Sequence, residues 1–486
     1  MGNDYLEGNY APVRQEHTVT ELAVTGVIPE HLDGRYLRNG PNPIAEIDPQ
    51  TYHWFTGDGM VHGVRLRDGT AQWYRNRWIR TPTVARALGE PAARRAPTRT
   101  GLELLGANTN VFSHAGRTLA LVEGGITNYE LTEDLDTVGP YDFEGTLRGG
   151  YTAHPKRDPD TGELHAVSYS FGRGNHVQYS VIDLQGRARR TVDIEVTGSP
   201  MMHDFSLTEK YVVFYDLPVT FDTDKVVAGY LPAPLRAPAR LVLSGLLGKV
   251  RVPEPLTARA GAKIRGNGPM PYRWNPKYPA RVGVMPREGG SRDVRWFDIE
   301  PCYVYHPLNA YDDGDQIVLD VIRHERTFDE AVNGPFESGI TLDRWRVDLN
   351  AGKVLEERLD DRPQEFPRVD ERLVGLRHRY GYAVEAIGNR DRPGATESVI
   401  KHDLVSGKTI RRSFGPNSAP GEVVFVPNGP DAAEDDGVLM GFVYHPETQR
   451  SDLTLLDAGT LETVAAIHLP NRVPSGFHGN WVPAGQ

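Results

Sequence analysis

Of the 16 histidines in this 486-residue chain, four stand where an imidazole has chemistry to do. His154 precedes a proline in GGYTAHPKRDP, His203 follows paired methionines in MMHDF, His306 lies in VYHP, and His478 lies in GFHGN. Each borders an apolar or aromatic run at the edge of an expected strand, whereas His17, His31 and His402 sit among polar residues and read as surface. Neutral imidazole is the commonest transition-metal ligand, and several on separate rigid elements can surround one ion. The four are 49, 103 and 172 residues apart, so no local spacing motif joins them. They make a site only if the fold carries distant segments together. Otherwise they are structural or solvated histidines, and the residues alone leave both readings open.

The elements that would position them are short strands. TLALVEG (118–124), YVVFYDLPV (211–219), DQIVLDVIRHE (315–325) and GVLMGFVYH (437–445) are rich in Val, Ile, Tyr, Leu and Phe. They are bounded by Gly, Pro or Asp, the pattern of strands between tight turns. Four stretches repeat a strand, turn, strand pattern: 177–196, 342–359, 399–414 and 453–469. Asp183, Asp348, Asp403 and Asp457 close the first strand of each, and Gly186, Gly352, Gly407 and Gly459 follow within four residues. Aspartate bonds its own downstream backbone and glycine accepts positive φ, so these are hairpin turns. Hairpins along a whole chain predict an all-β β-propeller, with a pair of β-sandwiches as the alternative. In a propeller the inner strands of all blades face one axis, where distant histidines meet.

Bulk properties narrow the function. With 39% hydrophobic and 24% charged residues the chain builds a packed core. A net charge of -11 argues against a nucleic-acid partner, which needs a basic face. The single cysteine, Cys302, excludes an internal disulfide and a cysteine zinc site, and fits a reducing cytoplasm. The start, MGNDYLEGNYAP, carries no basic segment followed by an apolar run, so no signal peptide is expected. Leu6 stands where a myristoylation motif after Gly2 wants Ser or Thr. GRGNHV (172–177) is too poor in glycine for a dinucleotide fingerprint, and no nucleophile elbow indicates a hydrolase.

Eight ordered segments resemble the carotenoid cleavage oxygenase family. They are GRYLRNGPNP (34–43), HWFTGDGMVHG (53–63), TAHPKRDPDTGEL (152–164), MMHDFSLTEKYVVFYDLP (201–218), PYRWNPKYPARVGVMPR (271–287), EFPRVD (365–370), GEVVFVP (421–427) and FHGNW (477–481). The resemblance implies a seven-bladed propeller spanning 1–486 as one domain, with loops and short helices over the face that carries the active site. It also implies an Fe(2+) ion on the axis held by His154, His203, His306 and His478. Glu123, Glu365 and Glu422 match the glutamates that bond the ligand imidazoles in that family. A carboxylate on the far ring N–H selects the tautomer and raises ligand basicity. Phe55 and Phe477 are the expected substrate contacts. The implied reaction uses O2 to cleave a C=C bond of a small apolar carotenoid or apocarotenoid into two carbonyl products.

Other readings stay beside this one. Relatives that cleave stilbenes or phenylpropenes hold a substrate phenol with Tyr and Lys, the Lys directly before the first of the glutamates. Here that place is Val122, which favours a more apolar substrate. Asn108, Thr109 and Asn110 either contact polar substrate groups or form an ordinary turn. A propeller that is only an interaction scaffold, and an isomerase like the retinoid branch, are the remaining alternatives. Residues 226–248, VVAGYLPAPLRAPARLVLSGLLG, form an apolar insertion read as a tunnel mouth or membrane contact, or as a segment packed on the propeller. Arg236 and Arg240 would share one side of a helix there, but Pro238 argues against a regular one.

Overall fold

The computed structural model describes residues 3–485 except 92–105, 148, 231–232, 247–248, 250, 252–269, 330–333, 336, 338 and 390–391. Its strands form seven antiparallel sheets of four to six strands, the blades of a propeller, and one further strand pair. Blade one holds His17–Val19, Thr70–Trp78, Gly59–Arg67, Gly34–Pro41 and Gly479–Pro483. Blades two and three run from Asn110–His114 to Thr137–Tyr141 and from Lys156–Arg157 to Ala188–Glu195. Blade four holds Ser206–Leu207, Tyr211–Asp216, Arg281–Pro286 and Arg295–Asp298. Blades five and six run from Tyr303–Asp313 to Lys353–Asp360 and from Gln364–Arg368 to Lys408–Ser413. Blade seven begins at Ala419–Pro420 and Val424–Pro427 and ends with Ala23–Gly26 beside Thr463–His468.

The ring is closed at both ends of the chain. Blade one takes its innermost strand from the C-terminal segment, Leu37 facing Asn480, and blade seven takes its outermost from the N-terminal segment, Ala23 facing His468. Each closure protects edges that an open sheet would expose. Gly479 makes the first possible, since a Cβ there would lie 2.5 Å from the Leu37 carbonyl oxygen.

Three of the four repeated turns join the third and fourth strands of a blade, and the one in blade seven joins Arg450–Asp457 to Thr463–His468. Asp183, Asp348, Asp403 and Asp457 each accept backbone N–H bonds from within the turn. Gly186, Gly352 and Gly407 take positive φ as expected. In the fourth turn Leu461, not Gly459, takes it, at φ 61°. Leu461 is buried in an apolar cluster that includes Phe425 and Leu456, and that burial holds a leucine where local preference wants glycine.

Blade four is interrupted between its second and third strands by a strand pair, Val219–Phe221 with Tyr272–Trp274, and by the helices Thr223–Tyr230 and Ala233–Leu246. The second helix corrects the expectation drawn from Pro238, because it runs through that residue. Proline removes one bond to the carbonyl four residues back, and the helix continues for two more turns. Arg240 pairs at 2.7 Å with Asp224 of the first helix. Leu235 is exposed. Among the described residues no helix is long and apolar enough to cross a membrane.

Some buried polar groups serve the fold alone. His402, expected at the surface, is buried and its Nε2 lies 2.7 Å from Gln364 Oε1. Cys302 is buried, and burial pushes its thiol up to about 12. Asp320 is fully buried and bridged by Arg344 at 2.7 and 2.8 Å, with His378 Nε2 at 3.2 Å. Arg344→Ala leaves that carboxylate without its guanidinium, and urea unfolding should show a loss of about 3–5 kcal/mol. Burial alone would raise the Asp320 carboxyl, but Arg344 and His378 hold it below the usual range. Its contribution is therefore present above the unfolded carboxyl value of about 4 and is lost as pH falls through the lower folded value.

Candidate metal centre

Each blade sends one of the seven singled-out side chains toward the axis, and all come from the same end of the propeller. His154 and His203 lie just before the innermost strands of blades three and four, and His478 directly before that of blade one. His306 lies within the innermost strand of blade five, not at its edge as expected, where the register shifts on both sides of Pro307. Glu365 and Glu422 occupy the corresponding ends of blades six and seven. Glu123 follows the second strand of blade two, whose antiparallel course returns it to that end.

The four histidines converge. One ring nitrogen from each lies within 4.8 Å of the others. His154 Nε2 is 3.0 Å from His203 Nε2, which is 3.2 Å from His306 Nε2. The four histidine residues are 4–8% exposed, too little for bulk water to solvate a charge among them. The glutamates stand behind. His306 Nδ1 donates to Glu365 Oε2 at 2.6 Å and His478 Nδ1 to Glu422 Oε1 at 2.9 Å. Glu123 Oε2 is 2.8 Å from His203 Nδ1, near enough to pair but off the line of a good hydrogen bond. Among the described residues no glutamate stands behind His154; Asp204, bound to Lys156 at 3.1 Å, lies 3.7 Å from it.

Burial and the neighbouring imidazoles push His154 well below its ordinary value, and burial lowers His306 despite Glu365. For His203 the raising effect of Glu123 outweighs burial. Burial would raise both Glu365 and Glu422. His306 and His324 hold the first low, and Arg368 and His478 the second.

These residues fit a cation. A neutral imidazole that donates from Nδ1 carries a lone pair on Nε2. Such lone pairs 3.2 Å apart repel, and a metal ion between them turns the repulsion into coordination. Charge agrees. Glu123, Glu365 and Glu422 face rings that are neutral once they coordinate a metal, and Arg368, 3.6 Å from Glu422, offsets one of the carboxylates. The two charges left are those a divalent ion balances.

Two surroundings meet at the histidines. A polar cavity bordered by His154, His306 and His478 also presents Lys156, Asp204 and Arg368. About 80 Å³ of it is open to the centre of a water molecule, room for a few waters at about 10–15 Å³ each. Aromatic rings that do not border that cavity gather elsewhere around the centre. Tyr305 is 5.4 Å from His203, Phe55 is 6.1 Å from Tyr305, and Phe55 meets Phe477 edge-on at 5.5 Å. Both expected substrate contacts thus lie in one aromatic cluster beside the histidines.

The reading from sequence missed Phe366, which stacks on His306 at 5.6 Å and 28°. Its φ of 53° belongs to a bulge that turns Glu365 and Phe366 toward the same histidine. It also missed His324, whose buried Nε2 donates to Glu365 Oε1 at 2.7 Å. Adjacency to Glu365 pointed to the first; nothing local pointed to the second. Asn108 spends its amide on the carbonyls of Phe55 and Gly57, and the Thr109 hydroxyl on Asn108. Asn110 bonds the Ala153 carbonyl and borders the polar cavity. Val122 packs in an apolar cluster with Val61 and Val111.

Known proteins agree with this architecture. The profile of the family described as retinal pigment epithelial membrane protein matches residues 10–483. A carotenoid cleavage oxygenase of Mycobacterium tuberculosis is 62% identical over 99% of this chain and 98% of its own. A carotenoid 9,10(9',10')-cleavage dioxygenase of Crocus sativus is 31% identical over 98% of this chain and 89% of its own. The crystal structure of a Pseudomonas brassicacearum lignostilbene dioxygenase superposes with a TM-score of 0.81 at 26% identity, covering 99% of both chains. A relative of such identity over nearly every residue, and a family profile spanning all seven blades, place this chain in the carotenoid cleavage oxygenase family.

Proposed function

We propose that the protein is a non-haem Fe(II) dioxygenase that cleaves a C=C double bond of a carotenoid or apocarotenoid into two carbonyl products, with the chain acting as one propeller domain. The observation that carries the reading is the convergence of His154, His203, His306 and His478 on one point, three of them backed by glutamates. Imidazole sets accept iron, zinc, copper and nickel alike; the use of dioxygen that the relatives' names describe calls for a redox-active metal, and iron is the one we assign. Iron held there supplies the activation of dioxygen, both atoms of which end in the products.

The chain's own residues do the rest. His154, His203, His306 and His478 present lone pairs. Glu365 and Glu422 keep the protons of His306 and His478 on Nδ1, so that Nε2 stays free. Tyr305, Phe55, Phe477 and Phe366 give an apolar, π-rich wall that orients a polyene by its faces and keeps water from the reacting bond. The helices Thr223–Tyr230 and Ala233–Leu246, with exposed Leu235, form the entrance through which an apolar substrate leaves a membrane surface.

The likeness to a lignostilbene dioxygenase supports a stilbene or phenylpropene substrate as the second reading. Product analysis separates the two. Iron-reconstituted protein is incubated in air with a long apocarotenal and, separately, with a hydroxystilbene. Aldehyde fragments from the apocarotenal alone are expected, and their masses locate the cut. Fragments from the stilbene alone would replace the polyene reading with the second.

A further inference from the structure

We propose that His53 selects an oxygenated substrate end, its Nε2–H donating a hydrogen bond to an aldehyde or hydroxyl oxygen of the bound polyene. The inference rests on the polyene reading above and names the substrate class within it. His53 is 1% exposed. Its Nδ1 accepts the Phe55 N–H at 3.1 Å and caps the turn Trp54–Thr56. Burial, aided by the charge of Lys225, pushes the ring down to about 3, so it is neutral. With Nδ1 accepting, the proton is on Nε2, and that buried N–H has no partner among the described residues. Buried donors are almost always satisfied, so an unpartnered one beside a substrate wall marks a place where the ligand supplies the acceptor.

The position suits that role. The imidazole meets Phe55 edge-on at 4.9 Å and stacks on Phe328 at 5.6 Å and 12°. Through Phe55 and Tyr305 the rings lead to His203. In the other direction Phe328 leads to Tyr272 at 6.2 Å and Tyr272 to Phe221 at 6.0 Å, beside the helix Thr223–Tyr230. Lys225 of that helix donates to the Tyr272 carbonyl at 2.8 Å. His53 is thus a polar atom in an aromatic row, displaced from the histidine centre toward the proposed entrance. A polyene whose middle lies at the centre brings one end past it. A hydrocarbon end leaves the N–H unsatisfied; an oxygen satisfies it.

Two substitutions separate the donor from the cap. In His53→Asn the side-chain oxygen replaces Nδ1 and keeps the cap, but the Nε2 donor is gone. In His53→Gln the amide nitrogen reaches the Nε2 position and keeps the donor. Binding is read by tryptophan-fluorescence quenching of iron-free protein, and KM is read with the reconstituted enzyme. The probes are an apocarotenal and a hydrocarbon polyene of equal length. The wild type is expected to bind the apocarotenal about 10-fold more tightly, roughly the worth of one hydrogen bond. His53→Asn loses that preference and His53→Gln retains most of it. Equal wild-type binding of both probes, or a preference surviving in His53→Asn, overturns the proposal. A loss shared equally by both variants assigns the effect to packing between the phenylalanines and also overturns it. Failure of the wild type to bind either polyene overturns the polyene reading itself.

Discussion

His306→Ala is expected to yield a folded protein that retains no iron and turns over no substrate. Its Nε2 lies 3.2 Å from that of His203, inside the group of four donors, and its Nδ1 is bound to Glu365 at 2.6 Å. Alanine removes one donor of the four. It also leaves Glu365, fully buried, with only His324 and the Phe366 N–H as partners among the described residues. The remaining imidazoles hang on blades one, three and four and have no other side chain within reach to complete the set among the described residues. Metal analysis after reconstitution, with circular dichroism as the folding control, checks this. Normal iron content and turnover in the variant would sink the assignment of His306 as a ligand.

The second large effect is expected at Glu365. Glu365→Gln keeps the shape but replaces an oxygen that accepts from a histidine with an amide that donates. Oε2 accepts from both His306 Nδ1 and the Phe366 N–H, so the remaining carbonyl oxygen settles there. The amide then faces His324 Nε2, which must give up its proton to Nδ1, an atom without a hydrogen-bond partner among the described residues. His306 therefore keeps its orientation but loses the basicity that a full carboxylate lends it. Some iron is retained, and the rate or the metal affinity falls about 10–100-fold. Side-by-side titration with Fe(II) and measurement of kcat distinguish the two losses. Wild-type behaviour in both would show that Glu365 does not tune the ligand.

Much of the site was legible because its segments are local. The stretch around His154 and the Glu365-containing QEFPRVD each carry a recognisable side-chain order. The hairpin turns at Asp183, Asp348 and Asp403 follow from chemistry contained within five residues. What escaped was decided by partners far along the chain. His402 reads as surface among its neighbours, yet Gln364 buries it. Leu461 takes the left-handed turn that Gly459 was expected to take, and it is buried in an apolar cluster that includes Phe425 and Leu456. His324 looks like one more residue in a strand until Glu365 accepts from it.

The sequence by itself determined the strand periodicity and three of the four hairpin turns, since each depends on residues close in the chain, and its family resemblance pointed to the seven side chains. Only the tertiary structure decided that every blade contributes one of them at the same end of the axis, and that three carboxylates stand behind three of the four rings. It also decided that an aromatic row with one unsatisfied imidazole N–H leads away from the centre. The reason is closure. Gly479–Pro483 pairs with Gly34–Pro41, and only when that contact between the two ends of the chain forms do the inner strands share an axis.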